Sequence, residues 1–195
     1  MSFFNDAYLG QPPWDIGKAQ TAFKEVAKKN SIKGPIFEVG CGTGENSLFF
    51  AELGFEVTGI DAAERAIAKA SLKAKTRDLE NKTTFLNYDL FKLAEFDKKF
   101  NTIIDCGVFH MFNQQSRTLY QENVAKILNP GGKLFILAFS YLEPLGIGPS
   151  QRLSEEDYSN TFKNGWKVLG FDQVNFETTI RKDQAKGLLT TVEKI

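Results

Sequence analysis

A glycine-rich loop is the first place in this sequence where residue types and their spacing suggest chemistry. Residues 36–39 form a short, mostly apolar run that leads into three alternating glycines: Gly40, Gly42 and Gly44. Glycine permits positive φ and lets a ligand approach the backbone, so the pattern predicts a binding loop at a strand-to-helix turn. A nicotinamide fingerprint, Gly-x-Gly-x-x-Gly, would need a further glycine where the chain has Glu45 or Ser47.

Acidic side chains stand where three later strands are predicted to end, and a fourth lies inside the first strand. They are Asp61, Asp89, Asp105 and Glu38. The carboxyl ends of parallel strands meet at one edge of a sheet, where open α/β folds bind ligands. A carboxylate there can accept hydrogen bonds from ligand groups that lose water on burial. Each residue alone is as readily a capping or solvated residue, but their shared position favours a ligand site.

Alternating strands and helices are needed to bring these side chains to one edge. Apolar runs predict five strands, at residues 35–39, 55–60, 83–87, 101–105 and 134–139. Helical spacing predicts four helices. The first covers residues 18–30, with Asp15 as its N-cap, and the second contains Leu48, Phe49 and Leu53 and ends at Gly54. The other two cover residues 63–75 and 115–128. This alternation is typical of a parallel, doubly wound sheet.

The last third of the sequence has a different pattern. Residues 154–157 resemble a capping box that opens a helix. Two strand-like runs follow, at residues 166–177 and 188–194, joined by a short polar turn. They predict an antiparallel hairpin at the edge of the sheet.

Composition excludes several classes of protein. The 195 residues suit one domain, and the formal net charge of zero argues against general binding to nucleic acid or anionic membranes. A single histidine, His110, and two cysteines rule out a closed zinc site, so no metal is expected. The N-terminus lacks a signal-peptide pattern, and the longest apolar run is far shorter than the roughly 20 residues of a membrane span. A cytoplasmic protein is expected.

The loop, the acidic positions and the turn at residues 129–132 together resemble class I S-adenosylmethionine-dependent methyltransferases. The resemblance covers residues 35–195 and implies an α/β fold with a Rossmann-like, doubly wound, seven-stranded sheet, mostly parallel with an antiparallel C-terminal edge hairpin. It implies S-adenosyl-L-methionine as cofactor and S-adenosyl-L-homocysteine as product. The implied cofactor contacts are Trp14, Glu38, Gly40, Cys41, Gly42, Gly44, Asp61, Asp89, Leu90, Asp105 and Cys106.

Three distant segments, residues 12–20, 107–112 and 148–154, are also similar to a bacterial subgroup of small-molecule methyltransferases that resemble the thiopurine and thiol methyltransferases. This narrower resemblance implies S- or O-methylation of a small acceptor that is aromatic or bears a thiol or hydroxyl. One domain, 1–195, is expected, with 1–34 as an N-terminal cover and helix. Trp14 would then shield the cofactor and acceptor, or instead be a staple that packs the N-terminal helix.

The acceptor side has its own candidates. His110 follows the fourth strand and is either a base that deprotonates the acceptor or a packed histidine bonded to backbone. Phe109, Phe112 and Tyr141 are expected to line an apolar pocket. Arg152 would steer an anionic group or remain a solvated surface residue. Cys41 and Cys106 are small residues of the pocket or, less simply, a regulatory disulfide.

Other functions remain open from the sequence alone. The expected partners are a small-molecule acceptor, with no nucleic acid and no membrane, and the expected state is a monomer or weak homodimer. One alternative is a regulatory protein that binds the cofactor without catalysis. Others are a methyltransferase acting on protein or RNA, disfavoured because the chain has no basic run, and a nicotinamide oxidoreductase, disfavoured by the glycine spacing.

Overall fold

Strands and helices alternate along most of the chain in a computed structural model, which describes residues 2–29, 31–146, 151–181 and 183–195. The strands are β1 (Ile36–Val39), β2 (Val57–Asp61), β3 (Thr83–Asn87), β4 (Phe100–Cys106), β5 (Leu128–Phe139), β6 (Trp166–Phe176) and β7 (Ala185–Lys194). The α-helices are α1 (Ser2–Ala7), α2 (Thr21–Lys28), α3 (Glu45–Glu52), α4 (Glu64–Thr76), α5 (Gln114–Ile127) and α6 (Glu155–Thr161). Short 3-10 turns cover Leu90–Glu95 and Phe109–Met111.

All the strands belong to one sheet, in the order β3-β2-β1-β4-β5-β7-β6. Strands β1 to β5 run parallel, whereas β7 pairs antiparallel with both β5 and β6. This is the predicted fold class, a mostly parallel seven-stranded sheet with an antiparallel C-terminal hairpin, and it is confirmed. The strand order reverses between β1 and β4, which leaves a crevice at their carboxyl ends.

The central strands are buried on both faces because helices cover each side of the sheet. Phe37 and Ile103 point to one side, where residues of α5 and α6 join them. Their neighbours Ile36 and Ile104 point to the other side and pack with residues of α2 and α3. Period-two alternation with apolar residues on both sides explains why these strands have continuous apolar sequences. Most of the phenylalanines in the chain lie in these two clusters.

Several local expectations were right and two were wrong. The capping box is present, with the backbone N–H and the hydroxyl of Ser154 both donating to Asp157. The predicted N-cap role of Asp15 is wrong, since α2 begins at Thr21 and Asp15 instead accepts a hydrogen bond from Thr43 at 2.9 Å. Leu53, expected within a helix, is instead the exposed residue that follows α3, whereas Phe50 within α3 is buried.

Gly148, Pro149 and Ser150, part of a segment used for the narrower resemblance, lie outside the described residues. Among the helices that are described, none is both long enough and apolar enough to cross a membrane.

The segment before α2 is fastened to the end of β6 by a buried glutamine. The side-chain amide of Gln20 donates to the carbonyl of Glu177 and accepts from the N–H of Glu177, both at 3.0 Å. The carboxylate of Glu177 also accepts from Lys18 Nζ at 2.6 Å and from the N–H of Thr21 at 2.7 Å. These bonds bring the N-terminal segment over the carboxyl edge of the sheet.

We expect Gln20→Ala to lower the free energy of unfolding by about 2 kcal/mol, because it leaves two buried backbone groups without partners. Gln11→Ala is the matched control, since Gln11 is exposed and makes one bond to the carbonyl of Asp15. Its effect should stay within about 0.5 kcal/mol. Urea unfolding followed by circular dichroism measures both, and equal losses would show that the Gln20 bonds do not hold the segment.

Candidate active site

A cavity of about 630 Å³ opens at the carboxyl edge of the sheet, where β1 and β4 separate. Its walls come from the glycine loop, the ends of β2 and β4, the N-terminal segment and the connection between β6 and β7. Eleven of the residues predicted from the sequence line it: Trp14, Glu38, Gly40, Cys41, Gly42, Asp61, Asp89, Leu90, Cys106, His110 and Phe112.

The glycine loop has a backbone path that excludes side chains. Gly40 and Gly42 have φ of 61° and 55°, a conformation that other residues rarely adopt. A Cβ on Gly40 would lie 2.2 Å from Cγ2 of Val108, and one on Gly42 would lie 2.8 Å from the hydroxyl of Tyr8. The loop is therefore a cradle of bare backbone, which is the feature that a bound nucleoside-like cofactor requires.

Asp61 holds this loop in place. One carboxylate oxygen accepts from the N–H of Gly42 at 2.9 Å, and the other accepts from the N–H of Ala63 at 2.8 Å. Burial raises the pKa of Asp61 above its usual value, although both hydrogen bonds act in the opposite direction. Each oxygen keeps a lone pair for a further donor, so the same carboxylate can bind ligand hydroxyls.

Glu38 lies under the loop and is almost completely buried, with 1% of its surface exposed. Its carboxylate accepts from Nδ2 of Asn46 at 2.9 Å and from the hydroxyl of Ser47 at 2.5 Å. Burial raises its pKa to about 7, even with the opposing effect of those two bonds. Glu38 thus orients the first turn of α3 and changes its charge near neutral pH.

Asp89 and Leu90 lie at the end of β3, in the wall beside Asp61. Asp89 is exposed and caps the 3-10 turn by accepting from the N–H of Phe91 at 3.0 Å. Its position leaves one carboxylate oxygen for a ligand amino group.

The structure places Asp105 elsewhere than predicted. It is fully buried and does not line the cavity, because its Oδ1 accepts from the N–H groups of Val108 and Phe109 at 2.9 and 3.3 Å. Burial raises its pKa to about 6. Its Oδ2 makes no hydrogen bond of normal length in the described part of the chain, and the nearby hydroxyl of Tyr120 acts to lower the pKa. Asp105 therefore fixes the turn that carries His110 and does not line the cavity.

Four more predicted residues lie outside the cavity. Gly44 is the N-cap of α3 and packs against Phe85. Phe109 points into the core, where its ring stacks on Tyr158 at 5.3 Å. The prediction that Phe109 lines the acceptor pocket is therefore wrong, since apolar packing on α5 and α6 draws the ring inward.

Tyr141 and Arg152 are the other two. Tyr141 is 52% exposed, beyond the end of β5. Arg152 donates to the carbonyls of Glu143 and Pro144, and its guanidinium lies 5.0 Å from the ring centre of Phe139. Arg152 is half-buried and does not line the cavity, whereas Phe139, which it contacts, does.

The remaining wall is mostly apolar, and much of it was not predicted. Residues that line the cavity and that sequence reasoning missed as site residues include Phe4, Tyr8, Asn46, Phe139, Phe176 and Ile180. Phe139 ends the fifth predicted strand, which marks its place at the edge of the sheet but not the direction of its ring. Phe176 and Ile180 reach the site through the antiparallel hairpin, so no local pattern pointed to them.

Trp14 both packs and lines the cavity. Its indole N–H donates to the hydroxyl of Tyr8 at 2.9 Å, and its ring lies edge-on to Phe4 and Tyr8. These three aromatic residues form a cover over the glycine loop. The two roles considered for Trp14 are thus compatible.

His110 is buried in the cavity wall, with 4% of its surface exposed. Its Nδ1 accepts a hydrogen bond from the N–H of Phe139 at 3.1 Å. Burial, with smaller effects from the charges of Arg152 and Arg117, lowers its pKa to about 3. The predicted role as a base conflicts with this environment, because a base of that strength binds protons poorly at neutral pH.

Cys41 and Cys106 both line the cavity as free thiols. Burial raises the pKa of each thiol well above its usual value. Neutral thiols of this kind are poor nucleophiles, so both cysteines serve here as small residues of the wall.

Comparison with known proteins agrees with this geometry. A family model described as a methyltransferase domain matches residues 36–132. A 2-heptyl-1-hydroxyquinolin-4(1H)-one methyltransferase of Mycobacteroides abscessus is 30% identical, over 85% of this chain and 76% of that protein. Probable thiol methyltransferase 2 of Arabidopsis thaliana is also 30% identical, over 85% of this chain and 71% of that protein.

The fold agrees too. A solved structure described under the conversion of a disulfide bond into a thioacetal group during echinomycin biosynthesis superposes with a TM-score of 0.90. It is 27% identical in sequence, and the match covers 99% of this chain and 91% of that one.

Glu38→Gln tests the buried carboxylate. Because the pKa of Glu38 is raised to about 7 in the folded protein, its contribution to stability is complete below about pH 4.5 and is lost as the pH rises through 7. Glutamine cannot ionise, so the free energy of unfolding of the variant, relative to the native protein, should rise by on the order of 2 kcal/mol from pH 5 to pH 8.

Urea unfolding at the two pH values gives this difference. Glu80→Gln, at an exposed position, is the control and should show no such change between pH 5 and pH 8. A variant Glu38→Gln that follows the native protein at both pH values would show that the buried group is not ionising in this range.

Proposed function

The chain belongs to the class I S-adenosylmethionine-dependent methyltransferases, and we propose that its acceptor is a small, flat, largely apolar molecule methylated on sulfur or oxygen. The observation that carries the proposal is the cavity at the carboxyl edge of the sheet, in which bare glycine-loop backbone continues into an aromatic and aliphatic wall. Such a cavity brings a cofactor and an apolar acceptor together without water between them.

The residues on the polar side of the cavity, among them Asp61, Asp89 and Glu38, fit S-adenosyl-L-methionine. Asp61 would hold the ribose hydroxyls through the lone pairs that Gly42 and Ala63 leave on its oxygens. Asp89 would accept from the adenine amino group, and Leu90 would pack beside the adenine ring. Glu38 would act through the α3 residues that it orients, on the amino-acid end of the cofactor.

The chemistry demands little acid or base from the protein. When bound, the cofactor supplies a methyl group on a positively charged sulfur, already activated for displacement. The chain's own task is to align the acceptor with that methyl group and to exclude water. The aromatic cover of Phe4, Tyr8 and Trp14 suits the second task, since Trp14 and Tyr8 are locked together by a hydrogen bond.

The relatives support an aromatic or sulfur-bearing acceptor. One is named for a hydroxyquinolinone and the other for thiols. Phe112, Phe139 and Phe176 line the cavity of this chain, and flat rings pack well on such side chains.

We also propose the finer setting in which the enzyme works. The described cysteines are free thiols, which suits a cytoplasmic protein. Zero net charge supports a protein that acts without a nucleic-acid or membrane partner. A monomer or weak homodimer, built as one domain of residues 1–195 with a cover at 1–34, remains the expectation.

Two measurements test this function. Calorimetric titration should show binding of S-adenosyl-L-methionine and no heat with NAD, and Asp61→Ala should abolish most of the binding because it also releases the glycine loop. A radiolabelled methyl-transfer screen over thiols, thiopurines, phenols, hydroxyquinolines and halides should then yield methylated aromatic thiols or hydroxyl compounds. Cofactor binding without any methylated product would favour a regulatory role.

Ile180→Ala tests the acceptor wall. Ile180 lines the cavity and is 52% exposed, so its truncation removes acceptor contacts without disturbing the core. We expect KM for the acceptor to rise roughly fivefold, about 1 kcal/mol, with the cofactor Kd unchanged. Ile195→Ala, the same change at a site that is 72% exposed and outside the cavity, should leave both constants unchanged. Equal effects in both variants would place the acceptor elsewhere.

A further inference from the structure

The two ring nitrogens of His110 have different surroundings. Nδ1 accepts a hydrogen bond of 3.1 Å from the backbone N–H of Phe139, the last residue of β5. An amide N–H can donate only to a nitrogen that carries a lone pair, so Nδ1 bears no proton. A neutral imidazole then carries its single proton on Nε2.

The surroundings also keep the ring neutral. The charged groups that act on it are the guanidinium groups of Arg117, on α5, and Arg152, on the loop after β5, and both oppose a positive charge. From the strands, Phe139 and Phe176 pack against the ring with centroid distances of 5.3 and 5.8 Å. No described carboxylate lies within ion-pair distance of the imidazole, so nothing stabilises an imidazolium.

Nε2 lies beside the bare backbone of Gly107. It lies 3.5 Å from the point that a Cβ on Gly107 would occupy, and Gly107 has no side chain to cover it. Gly107 and His110 both line the cavity. Among the described residues Nε2 has no hydrogen-bond partner, although only 4% of the surface of His110 is exposed. An N–H without a partner in the described part of the chain therefore belongs to a residue of the cavity wall.

We propose that His110 is a neutral hydrogen-bond donor, through Nε2–H, to a heteroatom of the acceptor that is already ionised when it enters the cavity. This inference rests on the proposed methyl transfer and assigns the opposite role from a base. A nitrogen that carries a proton and donates it in a hydrogen bond cannot also remove a proton from the acceptor. The acceptor must lose its proton to water before it binds.

The step then balances without any proton transfer inside the cavity. A lone pair of the thiolate or oxyanion forms the bond to the methyl carbon, and the bond from that carbon to the sulfonium sulfur breaks. Its electron pair stays on sulfur, which becomes a neutral thioether. The hydrogen bond from Nε2–H fixes the position of the attacking atom. The enzyme therefore selects acceptors that ionise readily, such as aromatic thiols and acidic aromatic hydroxyl compounds.

The protonation state can be measured directly because the chain has a single histidine. In protein labelled with ¹⁵N-histidine, NMR should show Nε2 as the protonated nitrogen and Nδ1 as the unprotonated one, unchanged between pH 5 and pH 8. A proton on Nδ1, or a titration near pH 6.5, overturns the proposal. This readout needs no acceptor, so it stands even if the methyl-transfer screen fails.

Kinetics of two variants separate a donor from a base. His110→Gln keeps an N–H donor near the position of Nε2, whereas His110→Phe keeps a ring without a donor. We expect His110→Gln to retain kcat/KM within about threefold and His110→Phe to lose about 30-fold, as for one hydrogen bond to a charged group. Equal loss in both variants overturns the donor role, and folding of each is checked by circular dichroism and by the Kd for S-adenosyl-L-methionine.

The pH profile completes the test. With a series of para-substituted thiophenols and phenols, the midpoint of log kcat/KM against pH should follow the solution pKa of each acceptor, in the native protein and in His110→Gln alike. A midpoint that stays fixed across the series and disappears in His110→Gln would show that His110 is a base. Methylation of none of these compounds, with cofactor binding intact, would instead contradict the proposed acceptor class and leave the NMR result to decide the role of His110.

Discussion

Buried polar side chains at the carboxyl edge of the sheet must find hydrogen-bond partners, and this requirement organises the loops around the cavity. Asp61 accepts from the N–H groups of Gly42 and Ala63 and so joins the glycine loop to the start of α4. Glu38 binds the first turn of α3, and Asp105 binds the turn after β4. Because a buried group without a partner costs about 1–3 kcal/mol, each of these loops is held close to its strand end.

The cavity walls formed by the N-terminal segment and by the connection after β6 depend on contacts between residues far apart in the sequence. Gln20 and Glu177 exchange hydrogen bonds across the site, and the N–H of Thr179 donates to the carbonyl of Pro13 at 2.9 Å. The N-terminal segment and the connection after β6 therefore enclose the cavity together. The polar floor of the cavity is the part that we propose for the cofactor, and the apolar enclosure is the part that we propose for a flat acceptor.

The glycine loop and the carboxylate that binds it could be predicted because the sequence patterns that indicate them are local. The glycine spacing and the position of Asp61 at a strand end both follow from patterns a few residues long. The same reasoning failed for Asp105, which the sequence also predicts at the end of a strand but which lies one residue before the end of β4. A pattern shows where a strand ends, but whether the next side chain faces a cavity or a buried turn depends on the N–H groups packed around it. Phe109 and Phe112 differ for the same reason, since helix packing draws only Phe109 into the core.

The sequence by itself determined the order of the elements, the doubly wound sheet with its reversed hairpin, and the glycine loop with its acidic partner. These features follow from hydrophobic period and from the backbone freedom of glycine, which act over short stretches of chain. Only the tertiary structure decided which aromatic residues enclose the acceptor and which nitrogen of His110 carries a proton. The second point depends on the N–H of Phe139, 29 residues away, because burial and hydrogen bonds between distant segments set the direction and the protonation of a side chain.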